Sequence, residues 1–316
     1  MKETPTEIET RLHDKLVLSS SINTKFRELV FEIEQTAGMT GTANPRGLKV
    51  KEALITGFAV NPEYTCIDFQ ARPFNWKYFA GEMAWYLLKS GDTTFINKFS
   101  SFWKNITNED GTVNSNYGKI LLTTNEDTKT SQMAWVVNSL RKDKDSRQAI
   151  AYIGGKDYQY EGNKDFVCTQ YVLFFIRNEQ LHMKVQMRSN DIFYGLTYDA
   201  PWFGTVHQNV YLELKETYPE LKMGQYFHFG DNTHFYERHF DIADAILQEP
   251  ETIGPKITLK EPLWHSYENG DTKLSAAART YLEWFDTKLE NIDTLKTEDF
   301  ISALSNIFNI EQNESN

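Results

Sequence analysis

The sequence predicts an α/β fold, more closely α+β, formed as one domain across residues 1–316. Three observations carry this reading. Apolar residues at helix spacing mark both ends of the chain, apolar and alternating runs fill its middle, and neither an internal repeat nor a low-complexity linker divides it. The core is expected over about 40–300, with a polar, frayed tail at 311–316.

Taken in order, residues near 6–37 read as helix, with Ile8, Leu12, Leu16, Phe26, Leu29, Val30 and Ile33 at helical intervals. Residues 40–48 hold Gly41, Asn44, Pro45, Arg46 and Gly47, which make a loop, and 53–60 follow as a strand. A helix is predicted over 74–89, with Phe79, Met83, Tyr86 and Leu87 as its apolar stripe and Gly91-Asp92 as its end. Glu82 falls on that same stripe, where an unpaired carboxyl would have a raised pKa.

Residues 148–153, 166–177 and 181–188 read as successive strands. In the last, Leu181, Met183, Val185 and Met187 alternate with His182, Lys184, Gln186 and Arg188, which puts Arg188 on the polar face. The strand carrying Cys168 is apolar on both faces, so it is expected to be covered twice, by helices or by a partner subunit. A helix over 204–217 comes next, then a strand over 226–229. The polar segment 230–236 leads into further helices and loops.

Composition sets limits. Hydrophobic residues make up 40% and aromatics 14%, a globular balance. The formal net charge of −11 argues against broad electrostatic binding to nucleic acid or to an anionic membrane. A few arginines can still bind one phosphate inside an acidic protein. The two cysteines, Cys66 and Cys168, have no zinc-site spacing and cannot make a secreted disulfide framework. No metal is expected. The N-terminus has no apolar run, and no segment reaches the length of a membrane span, so a reducing, cytoplasmic setting is expected.

Cys168 is the first candidate for chemistry. A cysteine in an apolar strand is by itself a small core residue. Here, however, Met187-Arg188-Ser189-Asn190-Asp191 lies on the next strand and Asp145-Ser146-Arg147 precedes it. A fixed guanidinium stabilises a thiolate, and Arg with Ser suits a phosphate monoester.

The order Asp-Ser-Arg, strand Cys, Met-Arg-Ser-Asn-Asp and His-x-Tyr resembles the thymidylate synthase and pyrimidine hydroxymethylase superfamily. Gly81-Glu82-Met83-Ala84-Trp85-Tyr86 with Gly91-Asp92-Thr93 resembles its Glu helix, and Asn116-Tyr117-Gly118-Lys119 its Tyr-Gly-Lys element. The resemblance covers about Leu48 to Phe240. It implies a layered mixed sheet with helices on one face and the dimer partner on the other. It also implies that Cys168 attacks C6 of a pyrimidine nucleotide, after which C5 takes a one-carbon unit from 5,10-methylenetetrahydrofolate. Glu82 would manage protons through water, with Tyr117 near the reacting ring. Arg188, Ser189 and Asn190 would bind the nucleotide, the first two at its phosphate, and His234 and Tyr236 would hold the sugar hydroxyl. Asp191, Trp103 and Glu82 would face the folate. Arg147 would cross to the phosphate of the other subunit in a homodimer, and Arg46 matches the early phosphate-loop Arg.

Departures from the synthases narrow the expectation. Cys168-Thr169 stands where synthases have Cys-His, and Tyr198-Asp199 where they have Phe-Asn at the base. Both resemble deoxycytidylate hydroxymethylases. An ionised Asp199 only accepts, which suits cytosine's amine and a proton on N3 and opposes uracil's O4. The family's Arg-Arg is Arg147-Gln148 here, and the short apolar C-terminal ending of synthases is missing. The expected activity is therefore folate-dependent C5 hydroxymethylation of a cytidine 5′-monophosphate, with the deoxynucleotide as first choice. Thymidylate synthase, dUMP hydroxymethylase, CMP hydroxymethylase and an inactive nucleotide-binding relative stand as alternatives.

Overall fold

The computed structural model describes residues 21–40 and 43–312; the side chains of 37–40 and of Arg46 lie outside that description. The first half of the expected N-terminal helix, with Ile8, Leu12 and Leu16, therefore lies outside the described residues. Its second half is α1 (Ile22–Thr40), with Ile22, Phe26, Leu29, Val30 and Ile33 buried at helical intervals.

A six-stranded mixed sheet organises the chain. Its strands are β1 (Val50–Val60), β2 (Ile150–Tyr152), β3 (Thr169–Arg177), β4 (Gln180–Met187), β5 (Asn190–Asp191) and β6 (Lys222–Tyr236). The order is β1-β6-β4-β3-β2, with β5 on β6; β4 and β5 run parallel to β6 and the other pairs are antiparallel. Long β6 is central because it pairs with β1 over one edge and with β4 and then β5 over the other. Backbone pairing is what makes the polar segment 230–236 a continuation of this strand, where the sequence suggested a break after 229. The buried positions shift phase along β6, from Tyr226, His228 and Gly230 to Thr233 and Phe235. Opposite that shift, Ile55 on β1 takes a left-handed φ of 57° and is 82% exposed.

Helix α2 (Trp76–Leu88) is buried on nearly every side. The Asn75 side chain caps its start by accepting from Tyr78 N at 3.0 Å. It ends at Lys89 in left-handed conformation, two residues before the expected Gly91. Short helices α3 (Phe102–Ile106), α4 (Tyr117–Leu122) and α5 (Gln132–Lys142) follow. Gly118 fixes how closely α4 meets α2, since a Cβ there would lie 1.8 Å from Tyr86 O.

Helix α6 (Leu196–Lys215) begins eight residues earlier than expected and runs through Pro201. A proline near a helix start removes a single main-chain donor, and the buried face of Ala200, Trp202, Phe203, Val206 and Val210 outweighs that loss. The helix lies against β4 and β6, where His207 Nε2 meets Leu181 O at 2.8 Å. Beyond β6 come α7 (Phe240–Gln248), β7 (Lys256–Leu259), the hairpin β8 (Trp264–Ser266) with β9 (Thr272–Leu274), α8 (Ala276–Lys288), α9 (Thr297–Leu304) and β10 (Phe308–Glu311). Glu311 belongs to β10, paired with Lys256 on β7, so this strand runs one residue into the expected tail.

Among the described residues the double cover expected for β3 is single. Val172, Phe174 and Ile176 are buried, whereas Tyr171, Leu173 and Phe175 on the opposite face are only half-buried. Among the described residues no helix is long and apolar enough to cross a membrane.

Candidate active site

Cys168 lies one residue before β3, and Arg188 one residue after β4, rather than within the strands. The antiparallel ladder holds them together: Arg188 N donates to Cys168 O at 2.9 Å. The guanidinium then wraps the turn. Its Nε donates to Val167 O at 3.0 Å, its Nη2 donates to Phe166 O, and it stacks on the Phe166 ring at 4.5 Å. Nη2 is also 3.7 Å from Cys168 Sγ. Burial nevertheless pushes the thiol up to about 11, against the downward pull of Arg188, with Asp199, Asp165 and Asp191 adding to the rise. The same turn is anchored by Asp165, whose Oδ2 accepts from Ser115 N and Ser115 Oγ, both at 2.7 Å.

Tyr117 opens α4 beside this turn. Its hydroxyl accepts from Thr169 Oγ1 at 2.9 Å, and its ring stacks with Tyr86 at 5.6 Å. Thr169, read from the sequence only as a departure from a family pattern, is thus fully buried against Tyr117.

Glu82 projects from α2 into an aromatic wall and is 5% exposed. Tyr78 OH donates to its Oε1 at 2.8 Å, and Trp103 Nε1 donates to Tyr78 OH at 3.1 Å. Burial pushes the Glu82 carboxyl up to about 7, while hydrogen bonds from Tyr78 and Tyr86 pull it down. Tyr78 escaped the sequence reading and Tyr86 entered it only as part of the apolar stripe, although they stand four residues before and after Glu82 and so share its helix face.

Asp199 sits in the first turn of α6, not in a solvated turn. Burial holds its carboxyl well above the usual range, and the neighbouring Glu82 and Asp191 add to the rise. The sequence expectation is a fixed ionised acceptor; the two neighbouring carboxyls and the loss of water around Asp199 both work against its ionised form. Its field is felt by Cys168 and Tyr117, so thiol, phenol and both acids share one cleft.

Asp191 on β5 lies beside His234 on β6, and its Oδ1 accepts from Phe193 N at 2.9 Å and Tyr194 N at 3.2 Å. His234 Nδ1 meets Asn232 Oδ1 at 2.9 Å, and its ring lies 5.4 Å from Tyr236. Arg238, absent from the sequence reading, lies over Tyr236 at 4.5 Å and Tyr194 at 4.9 Å. An open cavity of about 420 Å³ joins Tyr236, Glu237 and Arg238 to Gly47, Leu48 and Lys49, next to Arg46 on its turn Pro45–Gly47. Ser189 is half-buried between Arg188 and β5. Asn190 is 1% exposed, close to Gly230, and neither of its amide atoms has a hydrogen-bond partner among the described residues.

Arg147 is not brought into this cleft. It precedes Ile150, which pairs with Leu173, so it lies at the far end of β3 from Cys168. Eight positions of extended chain separate them, roughly 25 Å at about 3.3 Å per residue.

The cleft also suits a flat ring with amine donors. Phe102 and Tyr194 are 46% and 49% exposed with ring centroids 6.5 Å apart, and Trp103 lies 5.7 Å from Phe102. The carboxyl of Asp191 is an acceptor near that wall. Among the described residues no group of three or more His, Cys, Asp or Glu is arranged to hold a metal ion.

Comparison with known proteins agrees with this geometry. The family model for thymidylate synthase matches residues 63–279. Deoxycytidylate 5-hydroxymethyltransferase of Enterobacteria phage T6 is 30% identical over 185 residues, covering 56% of this chain and 74% of that protein. Thymidylate synthase of Bacillus mojavensis is 26% identical over 199 residues, covering 61% and 69%. The structure of thermostable thymidylate synthase A from Bacillus subtilis superposes with a TM-score of 0.61 at 18% identity, covering 80% of this chain and 94% of that one.

Proposed function

The chain belongs to the thymidylate synthase family, and from that membership we propose that it hydroxymethylates C5 of a cytidine 5′-monophosphate, with dCMP as the substrate. The observation that carries this reading is Asp199, a half-buried carboxyl whose pKa is raised, beside Cys168, Tyr117 and Glu82.

A neutral carboxyl offers one donor and one acceptor, the complement of cytosine's N3 and its amine. Cytosine can also take the proton itself. Transfer from Asp199 to N3 withdraws electrons from the ring and makes C6 electrophilic. Uracil already carries hydrogen on N3 and cannot be activated this way. Asp199 therefore discriminates chiefly in turnover rather than in binding, which revises the acceptor-against-acceptor argument drawn from sequence.

Cys168, as thiolate beside Arg188, forms the S–C6 bond while the ring electron pair moves to C5. Methylenetetrahydrofolate supplies the one-carbon unit, held against Phe102, Trp103 and Tyr194 with Asp191 as acceptor. Tyr117 and Glu82 then hold the water that removes the C5 proton. Glu82 also takes a proton from the water that adds to the exocyclic carbon, a role suited to a group titrating near 7. Arg188 and Ser189 bind the phosphate, with Arg46 in the facing loop, and His234 and Tyr236 hold the sugar.

The half-buried aromatic face of β3 supports a homodimer, and the distance of Arg147 from its own cleft supports its service to the partner's phosphate. The deciding experiment incubates the protein with dCMP, dUMP and CMP plus methylenetetrahydrofolate. 5-Hydroxymethyl-dCMP with release of tetrahydrofolate is expected. Faster turnover of dUMP would sink the Asp199 argument, dihydrofolate would indicate a synthase, preference for CMP would move the reading to ribonucleotides, and no turnover would leave a nucleotide-binding relative.

A further inference from the structure

We propose that Tyr78 is the positioning residue that commits Glu82 to its proton-accepting form when water adds to the nucleotide. The direction of two hydrogen bonds carries this. Trp103 Nε1 is 3.1 Å from Tyr78 OH, and an indole N–H can only donate. The phenol oxygen must accept there, so its single proton is left for Glu82 Oε1 at 2.8 Å. Tyr78 thus accepts from the indole and donates its proton to the carboxyl. A donor held in that sense favours carboxylate over carboxylic acid.

The surroundings keep it so. Tyr78 is half-buried, and desolvation followed by the nearby Glu82 holds its phenol well above its ordinary value, so it stays protonated and remains a donor. Its ring packs edge-on against Tyr198 at 4.4 Å, which ties the α2 carboxyl to the residue preceding Asp199. Tyr78 and Glu82 share a helix face at one-turn spacing, so the alignment is rigid.

This inference rests on the reading of Glu82 given above. In the step concerned, the water oxygen bonds to the exocyclic methylene carbon and its proton passes to Glu82. The π pair returns to the ring, C5=C6 re-forms, and the C6–S bond breaks with Cys168 leaving as thiolate. A Glu82 already protonated cannot take that proton.

The test compares wild type, Tyr78→Phe and Trp103→Phe. In one arm kcat and KM for dCMP are followed from pH 5 to 9. In the other, the Glu82 carboxyl is titrated by infrared difference spectroscopy without substrate, with Glu82→Gln identifying its band. Tyr78→Phe is expected to raise the acid limb of kcat and the carboxyl midpoint by about one to two pH units, the equivalent of one hydrogen bond to a charged group. KM should be unchanged, and Trp103→Phe should shift both in the same direction by less. An unmoved midpoint in Tyr78→Phe, or a change in KM alone, overturns the proposal. If wild type does not act on dCMP, the functional reading fails by itself, and the infrared arm still decides whether Tyr78 governs Glu82.

Discussion

Replacing Glu82 with Gln should remove turnover and at the same time stabilise the protein, by an amount that depends on pH. Glu82 is 5% exposed, and burial raises its carboxyl from 4.5 to about 7. At pH 4 the group is protonated in both the folded and the unfolded chain and contributes no difference. Between pH 4.5 and 7 the unfolded chain ionises while the folded one holds its proton, so stability falls with rising pH. The loss reaches about 3 kcal/mol by neutral pH and stays there above it. Gln is neutral and of similar size, and its amide oxygen can still accept from Tyr78. Urea unfolding of the two proteins at pH 4 and pH 8 is the assay. Near-equal stability is expected at pH 4, with a gain of about 3 kcal/mol for Glu82→Gln at pH 8. A variant that loses stability at pH 8, or a gain that is the same at both pH values, would refute a desolvated acid with a raised pKa at this position.

Other outcomes follow from the same cleft. Alkylation of Cys168 by iodoacetamide should rise with pH toward a midpoint of about 11, with Cys168→Ala as the blank; a midpoint near 8 would mean that Arg188 outweighs burial. Asp199→Asn keeps a donor and an acceptor but has no proton to give, so dCMP turnover should fall by about 10²-fold or more with binding retained, and the ratio of dUMP to dCMP turnover should rise. Undiminished dCMP turnover would end the proton-transfer role. Gly118→Ala puts a methyl group 1.8 Å from Tyr86 O and should cost about 3 kcal/mol, read as a lowered thermal midpoint; an unchanged midpoint would show that α4 can back away from α2.

Much of the site was legible because reactive groups sit in short strings whose types limit their chemistry. Cys168, Arg188, Glu82, Tyr117 and Asp199 were each identifiable, and the helix carrying Glu82 was foreseen within two residues at either end. Less legible were partners distant along the chain or unremarkable in type. Asp165 is a common loop residue until Ser115, fifty positions away, is seen donating to it twice. Thr169 reads as a strand residue until its hydroxyl meets Tyr117. Segment 230–236 read only as a polar segment after the strand because its side chains are polar, whereas its backbone groups are claimed by β1 and β5.

Local chemistry is written in side chains, so sequence alone determined which atoms are available: the thiol of Cys168, a guanidinium twenty residues on, the acid Glu82 on an apolar helix face, and the carboxyl of Asp199. Protonation state is not local. It depends on how much water and how many like charges surround a group, and only packing brought Glu82 and Asp191 close enough to Asp199 to push its carboxyl up. Folding likewise decided that Cys168 and Arg188, twenty residues apart, meet across one strand pair, while Arg147 is carried to the opposite end of the same sheet.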